Sequence, residues 1–424
     1  MLLSLWSILL LVGSHQRDSV PVQAGDAIRI GLVRSFRSAP ALTAIVPAGG
    51  SLECRMGSKV VSQRPGIWRL AAEDDGKITV RGSDGEIECR CGSVILRGGD
   101  SADSSPVGIS LSDLRSDTSR SKLSARGRSG RGRSGVTHYR GSIEIEQLTS
   151  SGLRVVNVVH LEEYLRGVVR LEMGEDAPAE ALKAQAVAAR TYAVKSRGRF
   201  AKEGYDLTDT TICQAYGGVE AECEPTDRSV RDTRGLALYR ENRLILADYY
   251  DDCGGVTACA NGEDDFPPSV VDKPEGGDDE YCARGRSHTW QIVLPLDEMA
   301  RIARSIPGWP ASDKPTEVQV GPADESGRVR TVRFSTTHGA SKDMKAAAFR
   351  AAVGYERLKS TLFTVEKSDG GFVFEGRGYG HGRGMCQSGA IGMASPPYRL
   401  SFREILAHYF PGAEVKQLDA VAKR

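Results

Sequence analysis

Glu172 stands where an apolar residue is due. Leu161, Leu165 and Val168 recur at steps of four and three, which is one face of a 3.6-residue helix. The next residue on that face is Glu172, just before Met173–Gly174, where the helix is expected to stop. A charge on a buried face is costly, so this Glu needs a raised pKa or a paired cation. A raised pKa is also what general acid catalysis near neutral pH requires. The following stretch offers two cations. Lys183 and Arg190 share one face with Val187 and Val194, two turns or roughly 10 Å apart. Their helix is rich in alanine and is expected to begin at Pro178, with Asp176 or Ala177 at the cap. Spacing alone leaves two readings: a structural ion pair between Glu172 and one of these cations, or a catalytic acid.

A second stretch, Gly376–Gly384 (GRGYGHGRG), alternates glycine with Arg377, Tyr379, His381 and Arg383. If extended, it aims all four side chains one way and leaves the other face as bare backbone. Bare backbone admits a neighbouring strand or a ligand at close range. The polar face could hold a carboxylate, orient sugar hydroxyls, or pair with Glu172; a packed strand with a solvated face is the alternative. Neither a phosphate-cradling G-x-x-x-x-G-K-[ST] loop nor a G-x-G-x-x-G in a βαβ setting is present, which discounts nucleotides. The net charge of +1 gives no global field for nucleic acid.

These residues need elements to position them. The 424 residues suffice for two domains or one large one. Residues 1–24 open with an apolar run, MLLSLWSILLLV, that resembles a signal peptide and implies export, with membrane association through this segment as a further option. Residues 26–100 read as a β-rich region of short strands between Gly, Pro, Asp and Ser. Residues 101–135 are rich in Ser, Arg and Gly and read as a flexible linker or insertion. From 136 to 418 strands and helices alternate. A strand pair precedes Leu161, a hairpin turns at Glu241–Asn242, and short helices are expected at Gly354–Ser360 and Phe402–Tyr409. The fold class expected is α+β, with mixed helices and antiparallel strands forming a cleft behind an N-terminal β-rich region.

Nine cysteines leave at least one unpaired if the rest form disulfides, the default in an exported chain. Cys213, Cys253, Cys259 and Cys282 could alternatively hold a tetrahedral Zn²⁺, although their spacing matches no standard zinc knuckle. Cys386 beside His381 offers a nucleophile and base without a third, orienting residue.

The blocks VVNVVHLEEYLRGVVRLEM, EALKAQAVAARTYAV, DTTICQAYGG, TRGLALYRENRLILADYYDDCGG and GRGYGHGRGMCQSGAIGMA stand in order along 136–418. Together they resemble the stage II sporulation protein D / LytB family of peptidoglycan-acting proteins. The resemblance implies a lytic transglycosylase that cuts MurNAc–GlcNAc linkages in glycan strands stripped of stem peptides. It implies catalytic roles for Glu172, Lys183, Arg190 and His381. It also implies substrate contacts from Arg377, Tyr379, Gln387, Gln214 and Tyr216. Its LytB branch implies the alternative of a non-catalytic wall-binding protein that enhances a separate amidase. Peptidoglycan strands, and in the alternative a cell-wall amidase, are the implied partners, and the cell envelope the implied location. No cofactor is required. Zinc, bound in some members through a His and two Cys, would here find Ala247 in the place of the His, and Cys386 stands where the family has a Ser. The family's E-M-P is Glu172–Met173–Gly174, which makes the turn after the acid a point of difference. Asp209 is the best candidate for the second carboxylate that a hydrolase would need.

Overall fold

The computed structural model describes residues 27–36, 39–83, 85–98, 106–111, 136–148, 152–258, 267–310 and 312–418. The expected signal peptide and most of the Ser/Arg/Gly segment lie outside them. The fold class is α+β.

Period-two alternation builds the first layer. In Ser142–Leu148, Ile143 and Ile145 are buried while Glu144 and Glu146 between them are only partly so. This strand pairs antiparallel with Gly152–His160, which pairs in turn with Ala27–Gly31. The sheet continues through Ser93–Arg97, Ser51–Met56 and Lys59–Gln63. A second sheet runs through Thr137–Tyr139, Val107–Leu111, Ala41–Val46, Gly66–Ala72, Ile78–Arg81 and Ile87–Cys91. The segment expected to be a linker therefore contributes one strand, Val107–Leu111. The β-rich region is not a separate body either. Its Ile28 and Ile30 share one continuous core with Leu161, Leu165 and Val168.

Two helices lie at the centre of that core. Leu161–Met173 buries the predicted apolar face and stops at Gly174, whose φ of 84° favours glycine. A proline could not adopt that angle. Ala179–Lys195 begins one residue after Pro178, which serves as its N-cap and not as its first turn. Its alanines from Ala181 to Ala193 are fully buried. Small side chains on every face let it touch the Glu172 helix, the helices Glu224–Asp232, Gln387–Ala394 and Phe402–Tyr409, and the strand Leu236–Arg240. Gly167 admits another close approach, since a Cβ there would lie 2.5 Å from the Tyr216 ring.

Residues 289–377 have a core of their own. Trp290, Phe334, Phe349, Phe363, Phe372 and Phe374 centre it, between sheets built from Thr289–Pro295, Gly371–Arg377 and Phe363–Ser368, and from Glu317–Val320, Thr331–Ser335 and Ser341–Lys345. Residues 354–360 form turns; the helix of this region is Ala346–Val353. Gly354, at φ 102°, ends it. Phe402–Tyr409 is helical as expected, with a capping box from Ser401 and Glu404.

One ion pair fastens the two central helices. Arg190 is fully buried and bidentate to Glu162, with Nε donating to Oε1 and Nη2 to Oε2, both at 2.7 Å. Its remaining donors reach the carbonyls of Ala186, Val230 and Leu236. Glu162 Oε1 also accepts the Gly235 N–H at 3.2 Å. Removing one member of such a pair strands a buried charge, so Arg190→Ala is expected to cost about 3–5 kcal/mol. Urea unfolding of Arg190→Ala, Glu162→Ala and the double variant checks this. The double loss should fall well short of the sum, whereas additive losses would mean the two residues act separately.

Candidate active site

The Glu172 carboxylate emerges from the last turn of its helix into a nest of neutral donors. The Ala215 N–H donates to Oε1 at 2.6 Å. The side chains of Gln387 and Tyr249 hydrogen-bond the same carboxylate. Behind them the network closes: Tyr164 Oη donates to Gln214 Oε1 at 3.1 Å, and Gln214 Nε2 donates to Tyr249 Oη at 2.9 Å and to the Ala189 carbonyl. Gln387 Nε2 donates to Gln185 Oε1 at 3.2 Å. Glu172 keeps partial solvent exposure, although its carboxylate is closely surrounded. Burial raises its pKa from 4.5 to about 7, against the opposing pull of these three hydrogen bonds.

Tyr249 and Tyr250 form a two-residue strand parallel to Met385–Cys386. Alternation sends the Tyr249 phenol to Glu172 and the Tyr250 ring to His381, at 5.3 Å between centroids. His381 also makes a hydrogen bond with the Tyr249 backbone. Glu172 and His381 are thus linked through one residue. Although His381 is an exposed residue, its ring is enclosed on one side and surrounded by cations. Partial burial first, then Arg383, Arg350 and Arg328, lower its pKa to about 4. Its Nδ1 accepts the Arg383 N–H at 3.1 Å, as only a neutral ring can.

The remaining expected site residues are placed otherwise. Arg190 belongs to the Glu162 pair, not to Glu172. Lys183 binds Glu180 at 2.9 Å and lies 3.7 Å from Asp232, at the far end of the alanine helix. Helical periodicity put both cations on one face but could not say which carboxylate each meets. Gln214 and Tyr216 are buried and serve as internal supports: Gln214 behind Tyr249, and Tyr216 donating to Asn157 and packed on Tyr164. Asp209 accepts the Arg34 N–H at 2.9 Å, so it steadies the turn at Val33–Phe36. Its pKa is raised to about 6, by burial.

The glycine-rich stretch is not one extended face. Gly378, Gly380, Gly382 and Gly384 all have positive φ, between 76° and 129°. Arg377 pairs with Glu280 and His288, Tyr379 stacks toward Lys359, and Arg383 faces Asp248 at 3.7 Å. The bare backbone accommodates a neighbouring segment, as a Cβ on Gly384 would sit 2.0 Å from the Asp248 carbonyl. Of the residues expected to touch substrate, Gln387 alone touches Glu172. Tyr249 and the Ala215 amide were missed by sequence reasoning. The only signal for Tyr249 was a tyrosine pair at the end of the hairpin, where alternation puts one phenol on each side.

Beside Tyr192, whose ring lies 6.5 Å from that of Tyr249, is a cavity of about 380 Å³. Lys195, Arg197, Arg199 and Arg383 line it with Asp248, so cations predominate.

Thiols gather at two places. Cys253, Cys282 and Cys386 meet Asp272 in the main core, and Cys54, Cys89 and Cys91 meet between the two sheets. No disulfide occurs among the described cysteines. The expected zinc quartet is not assembled: Cys213 accepts the Thr208 N–H instead, and Cys259 lies outside the described residues. Cys386 is fully buried and its sulfur accepts the Cys253 and Gly389 N–H groups, so it is not presented to a substrate as a nucleophile for His381.

Comparison with known sequences bears on this arrangement. The model described as "Stage II sporulation protein", SpoIID, matches residues 149–239, which carry both central helices and the Ala215 loop. An uncharacterized protein of Brachyspira hyodysenteriae is 33% identical over 272 residues, covering 63% of this chain and 70% of its own. Stage II sporulation protein D of Bacillus amyloliquefaciens is 27% identical over 286 residues, 62% of this chain and 76% of the relative. The chain belongs to the SpoIID/LytB family. A further relative is the amidase enhancer of Bacillus subtilis, 29% identical over 58% of this chain, which spans only 39% of that protein's length. A second model, a domain of unknown function (DUF8618), matches 278–384 and so falls on the unit with its own core. The SpoIID match ends before Tyr249 and Gln387. In this family member two of the three groups holding Glu172 therefore come from outside the matched segment.

The raised pKa of Glu172 has a thermodynamic consequence. Between pH 4.5 and about 7 the folded chain keeps a proton that the unfolded chain has released, so stability falls as pH rises through that window. Glu172→Gln removes the effect. At pH 8 the variant is expected to exceed the parent by up to about 3 kcal/mol, and by little at pH 4. Chemical denaturation at both pH values measures it, and an equal change at both would point to packing instead.

Proposed function

We propose that this chain is a lytic transglycosylase of peptidoglycan in which Glu172 acts first as acid and then as base. One observation carries the reading: a closely surrounded but partly accessible carboxylate with a pKa near 7, held only by neutral groups among the described residues. Such a group is protonated in half the molecules near neutrality, which suits a residue that must both give and take a proton. A backbone N–H can only donate, so Oε1 is an acceptor and the proton of the acid form sits on Oε2.

In this mechanism Oε2–H protonates the glycosidic oxygen as its bond to C1 of MurNAc breaks. The carboxylate then takes the proton of the MurNAc 6-hydroxyl as that oxygen bonds to C1. A 1,6-anhydro ring closes, and the acid is regenerated. No second carboxylate is needed, because an internal hydroxyl replaces the water that a hydrolase activates. Tyr249 and Gln387 fix the carboxyl plane, and Tyr249 backbone contact places neutral His381 nearby as a group for sugar hydroxyls. The basic cavity beside Tyr192 supplies charge for the lactyl carboxylates of the strand. On this reading the chain works in the cell envelope after export. The name of the Bacillus amidase enhancer supports a second reading, in which the chain binds wall material and assists an amidase without cutting glycan.

The two readings separate on one preparation. The pure chain is incubated with denuded glycan, and products are analysed by mass spectrometry. Anhydro-MurNAc ends are expected, with turnover reduced about 10²- to 10⁴-fold in Glu172→Gln while wall retention is unchanged. Activity should fall about tenfold per unit above pH 7, as the acid ionises. Incorporation of ¹⁸O from solvent at the new ends would convert the reading to a hydrolase. Retention on wall material with no cleaved product would support the enhancer.

A further inference from the structure

Cys253, Cys282, Cys386 and Asp272 come from four segments and converge on one point. Each is fully buried. Their ligand atoms all lie within 4.8 Å of one another. Cys253 Sγ is 3.4 Å from Cys282 Sγ and 3.1 Å from Asp272 Oδ2. A tetrahedron with Zn–S near 2.3 Å and Zn–O near 2.0 Å has edges of roughly 3.5–3.8 Å, so the two measured pairs need open by only a few tenths of an ångström. The four groups are thus already arranged nearly as such an ion requires.

The surroundings are those of a ligand set and not of a disulfide. Backbone N–H groups donate to the sulfurs, Cys253 N to Cys386 Sγ at 3.2 Å, and Gly255 N to Cys253 Sγ and Gly389 N to Cys386 Sγ at 3.3 Å. Donors of this kind stabilise thiolates, and Cys386 is also the N-cap of the helix Gln387–Ala394. The second oxygen of Asp272 accepts the Tyr409 hydroxyl and lies 3.6 Å from His408 Nε2, an outer shell that orients the carboxylate. Three thiols and a carboxylate converging in a sealed core are a concentration of metal-binding donors that apolar packing does not call for.

We propose that Cys253, Cys282, Cys386 and Asp272 bind one structural Zn²⁺. The donor set is closed, with four protein ligands and no open position, which fits a structural and not a catalytic ion. It is not the set the resemblance implied: Ala247 offers no donor, and three of the four ligands lie beyond the Cys-Gly-Gly turn. Cys386 precedes Gln387, and Tyr250 opposite it follows Tyr249. The ion therefore locks the register of the short ladder that holds both side-chain partners of Glu172. The assignment stands apart from the catalytic reading, because its readout is metal content.

The test uses the full chain, isolated under reducing conditions without chelator. Elemental analysis should return about one zinc per chain. Replacement by Co²⁺ should give the thiolate-to-cobalt charge-transfer and tetrahedral d–d bands of a three-sulfur site. Those bands should be lost in Cys282→Ser and kept when Cys54, Cys89 and Cys91 are all changed to serine. Should Cys282→Ser fail to fold, the bands of the Cys54, Cys89 and Cys91 triple serine variant still decide. A folded wild-type chain that takes up neither metal would overturn the proposal. So would a Cys253–Cys282 disulfide found by peptide mapping, or bands that follow the Cys54 group.

Discussion

The bidentate contact between Arg190 and Glu162 is the constraint on which the rest depends. Here the two central helices exchange charge inside the core, and every donor of the guanidinium is engaged. An apolar helix pair can slide by a turn at modest cost, because alanine and leucine faces are tolerant of register. A planar fork closed on a carboxylate is not. Its fixed position sets how far Leu161–Met173 projects, and so where Glu172 ends up. Arg190 thus serves the site from a distance, by holding the helix that carries the acid.

Around that fixed pair the chain solves a second problem, which is how to keep a carboxylic acid poised. Apolar enclosure alone would push Glu172 far up; donors alone would hold it ionised. The amide of Ala215, the phenol of Tyr249 and the carboxamide of Gln387 moderate the effect of burial without introducing charge. A cation in this position would favour the carboxylate and remove the acid form near neutrality. The placement of Lys183 and Arg190 elsewhere therefore leaves the acid form in place near neutrality, although it departs from what their helical spacing suggested.

Some of this was legible in the sequence. The apolar steps from Leu161 to Val168 located Glu172, and Gly174 ended its helix where expected. The hairpin turned at Glu241–Asn242, both of which adopt left-handed φ. What could not be read were pairings between segments distant in the chain. Lys183 and Arg190 share a helical face, yet one meets Glu180 and the other Glu162. Strict alternation in GRGYGHGRG suggested a strand, but four glycines with positive φ bend the backbone around Asp248–Gly254, which no local pattern announces. Tyr249 was invisible for the same reason, since its role depends on a two-residue ladder to Met385 across more than a hundred residues. Cysteine spacing misled similarly, for Cys253 and Cys282 are joined not by Cys213 but by Cys386, more than a hundred residues further on.

The unit at 289–377 enters and leaves through neighbouring strands, with Thr289 paired to Arg377 and the Gly378 N–H bonded to the His288 carbonyl. Its two ends are a single strand spacing apart. In chain path this whole body is one long insertion between neighbouring strands. Its size and content can change through evolution where they do not touch the main body, whereas Arg328, which donates to the Cys253 and Val256 carbonyls, and Lys359, whose carbonyl accepts the Gly380 N–H, tie it to the segments beside Tyr249 and His381. Such a cassette is a natural place for a common frame to acquire different accessory surfaces.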